Sequence, residues 1–321
     1  MGNLPEVRIQ MCRPFTNTGV DYAGPIEVLT RRARGKRLST KGYIAVFICM
    51  STKAVHLEIV SDMTTSTFLA AFARFTGRRG FPGKMFSDCG TTFVGADNQM
   101  KADIKNLMKQ LPSAVTELYS LKGTEWHFIP PASPHFGGLR EAGMKSTKHH
   151  LKRVLGKSVL TFEELQTVLV EIEACLNSRP LCEMTADPDD LEALTPGHFI
   201  LGQAPLTYPR PNTVDLKVHR LDRWQLVQRL NEHFWKRWQT EYFARLQRRP
   251  KWLIKEKDLK VGELVLIKDE RLPPARWSLG RIEKLHYGED NVARVAAVRT
   301  SENTVVRPIT KLCPLPIDHE K

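Results

Sequence analysis

A chain of 321 residues, 41% hydrophobic and 26% charged, is long enough for two compact domains and has the balance of a globular protein, not a disordered or fibrous one. Its formal net charge of +13 predicts attraction to a polyanion, nucleic acid first among them. The six cysteines form no CxxC pair, which excludes a zinc knuckle, and no apolar run reaches the roughly 18 residues of a membrane span.

Three strand-like runs come first. TGVDYAGPIEV (18–28) alternates, KGYIAVFICM (41–50) is almost wholly apolar, and AVHLEIV (54–60) follows a short turn. Such close spacing predicts an antiparallel meander whose middle strand is buried on both faces. TTSTFLAAFARFTGRRG then switches to a helical period, with Phe68, Phe72 and Phe75 on one face, Thr64 or Thr65 as cap and Gly80 as stop. A strand at 84–88, a helix near 98–111, a strand at 125–130 and helices at about 138–155 and 161–178 complete an α/β region with a mixed sheet flanked by helices. Cys49 and Cys175 lie in its apolar runs as core thiols. No secretory signal opens the chain and no long apolar run exists, so a reducing, intracellular setting is expected; MGNLPEVRIQ has no targeting character and reads like an interior segment of a longer protein.

Composition changes after Pro180. Residues 182–215 are rich in Pro, Asp and Thr, as in an extended connector. A basic helical stretch follows at about 220–248, with Trp224, Leu226, Leu230, Phe234, Trp238 and Phe243 as apolar positions. Four short strands, GELVLIKDE, SLGRIEKLHYG, NVARVAAVRT and TVVRPITKL, then predict a small β-barrel.

Three acids stand out by position. Asp21 sits mid-strand between Val20 and Tyr22, Asp88 ends KMFSD, and Glu141 opens the helix of SPHFGGLREAGMKSTKHH. Three carboxylates converging in a mixed sheet can hold Mg²⁺, a hard cation that keeps water and substrate phosphates as its other ligands. Two such ions about 4 Å apart stabilise both the attacking and the leaving oxygen of an in-line phosphoryl displacement. Each acid also has a plain structural role open to it: Asp21 in an ion pair, Asp88 capping a loop, Glu141 at a helix N-terminus. Glu141, Lys145, Lys148 and Lys152 share one helix face. RRARGKRLSTK (31–41) adds Arg31, Arg32, Arg34, Lys36, Arg37 and Lys41 with no acid, and 217–257 holds 12 Lys/Arg against 4 Asp/Glu. Both stretches suit either solvated surface or contact with a phosphate backbone.

TGVDYAGPI, FSDCGTTFVGA and PPASPHFGGLREAGMKSTK resemble the three acid motifs of retroviral and retrotransposon integrases, the DDE class on a ribonuclease H-like fold. LNSRPL (176–181), LTPGHFILG (194–202) and the tail with KVGELVLIKDE resemble the integrases of BEL/Pao long-terminal-repeat retrotransposons. The resemblance implies a ribonuclease H-like core over 1–181, a connector over 182–216, and a basic helix with an SH3-like β-barrel over 217–321. It implies that Asp21, Asp88 and Glu141 bind two Mg²⁺ or Mn²⁺ ions, and that Lys145 and Lys148 contact the end of the element's DNA. The implied reactions are trimming of 3′ ends and their transfer into double-stranded target DNA, by a homo-oligomer in the nucleus, with no small-molecule cofactor and no membrane. Arg140 stands where those relatives commonly carry an aromatic residue, and their zinc-binding His/Cys domain would precede residue 1. Two other readings remain: a catalytically inactive integrase-derived DNA-binding scaffold, and a plain ribonuclease H-type nuclease.

Overall fold

The computed structural model describes residues 9–31, 38–110, 123–128, 138–155, 158–208, 222–247, 259–269, 271–289 and 292–316, with backbone alone at 31, 107–110 and 138–146. The chain divides into two compact units, Met1–Glu173 and Ala174–Lys321.

In the first unit, strands β1 (Asn17–Arg31), β2 (Leu38–Cys49) and β3 (Val55–Val60) form the antiparallel meander. β4 (Lys84–Ser87) and β5 (Glu125–Phe128) extend it in parallel on the other side of β1, giving the order β3-β2-β1-β4-β5. The short β6 (Leu160–Thr161) pairs with the far end of β1. β2 is buried from Ile44 to Cys49, as an inner apolar run requires. β1 bulges between Ala23 and Ile26, where Gly24 has φ 139° and Pro25 lacks the amide a regular ladder would need.

Helix α1 (Thr65–Arg79) starts at Thr64, whose hydroxyl accepts from the Thr67 amide, and stops at Gly80, which holds φ 81°. Phe68, Phe72 and Phe75 are buried, and Phe75 stacks on Phe47 of β2 with ring centroids 4.3 Å apart. Helix α2 (Thr91–Gln110) begins seven residues earlier than its sequence predicts. Thr, Val and Gly are weak helix formers, but packing overrides propensity here: Phe93 and Ala96 are buried, and a Cβ on Gly95 would meet the Thr65 hydroxyl at 2.4 Å. Any larger residue at 95 would have to turn the Thr65 side chain aside, so glycine suits this approach of α2 to α1. Helices α3 (Gly138–Leu155) and α4 (Phe162–Asn177) follow.

A buried ionic network ties β3, α1 and α4 together. His56 lies between Glu58 (Nε2 to Oε1, 3.1 Å) and Glu173 (Nδ1 to Oε2, 3.3 Å), with His56 1% and Glu58 0% exposed. Arg74 and Arg78 each reach Glu58 at 2.7 Å, Arg79 pairs with Glu173, and Glu173 also accepts the Leu57 amide at 2.9 Å. Burial alone would lower the His56 pKa, but its hydrogen bonds to Glu173 and Glu58 outweigh that and raise it. Burial pushes both carboxyls up, yet His56 and the arginines hold both below the ordinary glutamate value.

In the second unit, β7 (Cys182–Glu183) pairs with β8 (Ala193–Leu194), and the short helix α5 (His198–Leu201) follows. The two sequence stretches LNSRPL and LTPGHFILG meet here: Leu181 donates to the Leu194 carbonyl and Gly197 to that of Asn177. Helix α6 (Arg223–Leu246) opens with a reciprocal capping box between Asp222 and Gln225. Phe234, Trp235, Trp238, Tyr242 and Phe243 are buried, whereas Trp224 is 50% exposed. Trp277 lies edge-on to Trp235, Tyr242 and Phe243, and donates to the Ser178 hydroxyl at 3.1 Å. Tyr242 donates to the Pro180 carbonyl, so LNSRPL is fixed from two sides.

The tail strands β9 (Leu264–Ile267), β10 (Ser278–Tyr287), β11 (Ala293–Arg299), β12 (Thr304–Pro308) and β13 (Leu312–Pro314) run in the order β12-β11-β10-β9-β13. The predicted small barrel is therefore corrected: among the described residues this is an open sheet with β12 and β13 at its edges. A fifth strand, hidden in the three residues after Lys311, takes the edge of β9 that closure would use. One face still buries a core of Val265, Ile267, Ile282, Leu285, Ala296, Val298 and Leu312. Among the described residues no helix is long and apolar enough to cross a membrane.

Candidate active site and basic surfaces

Alternation along β1 decides where Asp21 points. The Tyr22 ring stacks on Phe93 of α2 and meets Phe68 of α1, so Asp21 faces the opposite side of the sheet. There α3 crosses, burying Thr147, His150, Leu151, Val154 and Leu155, and its Lys148 places an ammonium 2.6 Å from Asp21 Oδ2. The other oxygen of Asp21 accepts the Tyr22 amide at 2.7 Å. With the two side chains 33% and 29% exposed, this ion pair is worth about 0–1 kcal/mol and is readily broken.

Asp88 arrives by the parallel pairing of β4 with β1. The last pair joins Gly19 to Phe86, two residues before Asp21 on β1 and two before Asp88, which follows the end of β4. Adjacent strands lie about 4.8 Å apart. The strand end is pinned by Ser87, whose hydroxyl accepts from Trp126 Nε1 at 2.9 Å and donates to the Asp88 carbonyl at 2.8 Å. Asp88 itself is exposed, with Oδ1 accepting the Gly90 amide at 3.1 Å.

Glu141 and Lys145 lie on the α3 backbone, and their side chains are outside the described residues. Position 141 is seven residues before Lys148, on the same helix face and about 10 Å along the axis. Lys152 is exposed one turn beyond Lys148. Arg31 ends β1 with its side chain outside the described residues, and Arg32, Arg34, Lys36 and Arg37 lie outside them altogether. Among the described residues no three His, Cys, Asp or Glu side chains form a metal-binding group.

The donor set nonetheless suits a hard divalent cation: carboxylate oxygens from Asp21 on β1 and from Asp88 just past the end of β4, its parallel neighbour, with Asp21 already drawing in a cation from Lys148.

A second basic feature escaped the sequence reading. In the tail sheet a cleft of about 690 Å³ opens among Lys268, Asp269, Arg271, Arg307, Pro308 and Lys311. It carries four cations against one carboxylate. That carboxylate is claimed by Arg271 at 2.9 and 2.7 Å, which holds the Asp269 carboxyl down to about 2. The residues come from two segments some forty positions apart, so no local run of charge announces the cleft. Arg281, by contrast, is 7% exposed and donates to the carbonyls of Gly262, Asp187 and Asp190, a structural role that removes it from any binding face.

If the cleft binds DNA phosphates, an Arg307→Glu, Lys311→Glu chain should weaken duplex binding and flatten the plot of log affinity against log salt by about 0.9 per lost contact. A salt titration of fluorescence anisotropy reads this, and an unchanged slope would remove the cleft from the DNA interface.

Comparison with known proteins adds little. A family described as of unknown function (DUF5641) matches residues 222–315, under a third of the chain. No curated protein matches. Among solved structures, the chain is similar over 100% of its length to 85% of a chain in a cryo-EM structure of the simian T-cell lymphotropic virus intasome in complex with the PP2A regulatory subunit B56 gamma, at 12% identity and a TM-score of 0.36. A likeness that loose assigns no activity.

Proposed function

We propose that the chain is a DDE-type polynucleotidyl transferase of the BEL/Pao retrotransposon integrase kind, with a ribonuclease H-like core over 1–181, a connector over 182–216 and a DNA-binding tail over 217–321. The observation that carries this reading is the parallel pairing of β4 with β1, which brings the end of β4, just before Asp88, alongside the strand that carries Asp21. The sheet order β3-β2-β1-β4-β5, with its antiparallel meander and two added parallel strands, supports the core assignment. The excess of 48 Lys/Arg over 35 Asp/Glu supports a polyanionic partner.

In this reading Asp21, Asp88 and Glu141 hold two Mg²⁺ or Mn²⁺ ions, which supply activation of the attacking water or 3′-hydroxyl and offset charge at phosphorus. Lys145, Lys148 and Lys152 lie along the helix face that the DNA end follows, and the basic segment 31–37 and the tail contact the duplex backbone. Homo-oligomerisation and a nuclear site of action belong to the same proposal.

The second reading is a scaffold that binds DNA without chemistry; Lys148 favours it by neutralising Asp21 without a metal. A joining assay separates the two. The purified chain, given blunt duplex ends, a plasmid target and Mn²⁺, is expected to insert ends and to stop in a chelator. DNA binding without joining by a folded chain would leave the scaffold.

A further inference from the structure

Lys148 is placed to do two things, and it cannot do both at once. Its ammonium sits 2.6 Å from Asp21 Oδ2 and, among the described residues, has no other acid partner. The other Asp21 oxygen accepts the Tyr22 amide, so each oxygen of that carboxylate already holds one donor of the chain's own, the charged one on Oδ2. A divalent ion bound by the same carboxylate would sit about 2.0–2.1 Å from one of its oxygens. An ammonium left in place would then lie within a few ångströms of the ion and repel it.

Lysine is suited to leave. Its charge rides on a flexible four-carbon stem with three rotatable donors, and it serves a phosphate as a point charge without fixed geometry. The side chain is a third exposed, so the ammonium can swing away while α3 stays packed through Leu151, Val154 and Leu155.

We infer that Lys148 is a positioning residue that couples DNA binding to metal binding. In the chain without DNA it closes Asp21; a DNA phosphate beside α3 draws the ammonium off and opens the carboxylate to the ion. Binding is then cooperative, and by linkage a bound ion tightens DNA binding by the same factor. The inference rests on the proposed role of Asp21 as a metal ligand.

The test measures Mn²⁺ affinity of the full chain by calorimetry, alone and saturated with a blunt duplex carrying 3′-dideoxy ends, which have no hydroxyl to join, and with phosphorothioate linkages near each end to slow trimming. The wild-type chain is expected to bind Mn²⁺ about fivefold or more tightly with the duplex present, the lower range of common couplings. Lys148→Gln should bind Mn²⁺ more tightly than wild type when alone and gain little further from the duplex; Lys148→Arg should keep the coupling. If Lys148→Gln matches wild type both alone and with DNA, the coupling role is overturned while the active-site reading stands. If Asp21→Asn leaves Mn²⁺ affinity unchanged, the active-site reading itself falls.

Discussion

In metal-free buffer an Asp88→Asn chain is expected to bind duplex DNA as wild type does, and with Mn²⁺ it should join ends at least about a thousandfold more slowly. The substitution is nearly isosteric, and Asn retains the oxygen that accepts the Gly90 amide, so the turn from β4 into α2 survives. The charge on that side chain goes. A divalent ion contributes several kcal/mol of charge stabilisation in phosphoryl transfer, and each tenfold in rate takes about 1.4 kcal/mol, which sets the thousandfold floor. Asp88 is exposed, so its loss leaves no buried partner orphaned. Single-turnover joining and filter binding on one preparation give both quantities, and wild-type joining by the variant would refute a catalytic role for Asp88.

The second large effect lies in the His56 network, away from the proposed chemistry. Glu58→Gln should destabilise the first unit by about 3 kcal/mol, the low end for breaking a buried ion pair. The low end applies because Arg74 and Arg78 are 39% and 49% exposed and can turn to water once Glu58 is neutral. For a unit of this size that is a drop of about 6–12 °C in Tm.

The pH dependence has two limbs. Glu58 and Glu173 have depressed pKa values in the fold, so their stabilisation is complete above about 4.3 and is lost as pH falls through those depressed values. His56 is raised, so its contribution is complete below about 6.5 and is lost as pH rises through the raised value. Between the two limits the network contributes in full. Amide protection along Val55–Val60, read by mass spectrometry and corrected for the intrinsic pH dependence of exchange, should be greatest there and smaller on both sides. Glu58→Gln should weaken the acidic limb, and a wild-type limb in that variant would remove the network as its cause.

Much of the first unit was legible because its signals are local. Thr64 and Gly80 bracket α1 as cap and stop, and the apolar run of β2 declares an inner strand. Asp21 stood out because a carboxylate inside a strand is costly, and the structure answers that cost with Lys148, 127 positions away. What was not legible depends on partners distant in sequence. The first turns of α2, residues 91–97, lie outside the helix the sequence predicts, and it is Phe93 meeting Tyr22, Phe68 and Trp126 that places them. His56 and Glu58 are two residues apart and Glu173 lies more than a hundred further on, a spacing with no pattern; only the fold makes them a network. The open tail sheet was missed because β13 is three residues long and ends in Pro314, too short to carry a period.

Everything proposed for the chemistry turns on whether Asp21 and Asp88 hold a divalent cation between them. Crystals grown with Mn²⁺, with data collected at the manganese edge, test this most directly. The account predicts an anomalous peak at coordination distance, about 2.2 Å, from oxygens of both carboxylates, with the Lys148 ammonium withdrawn from Asp21. Well-ordered Asp21 and Asp88 side chains without such a peak, and Lys148 still bonded to Asp21 at saturating Mn²⁺, would contradict it.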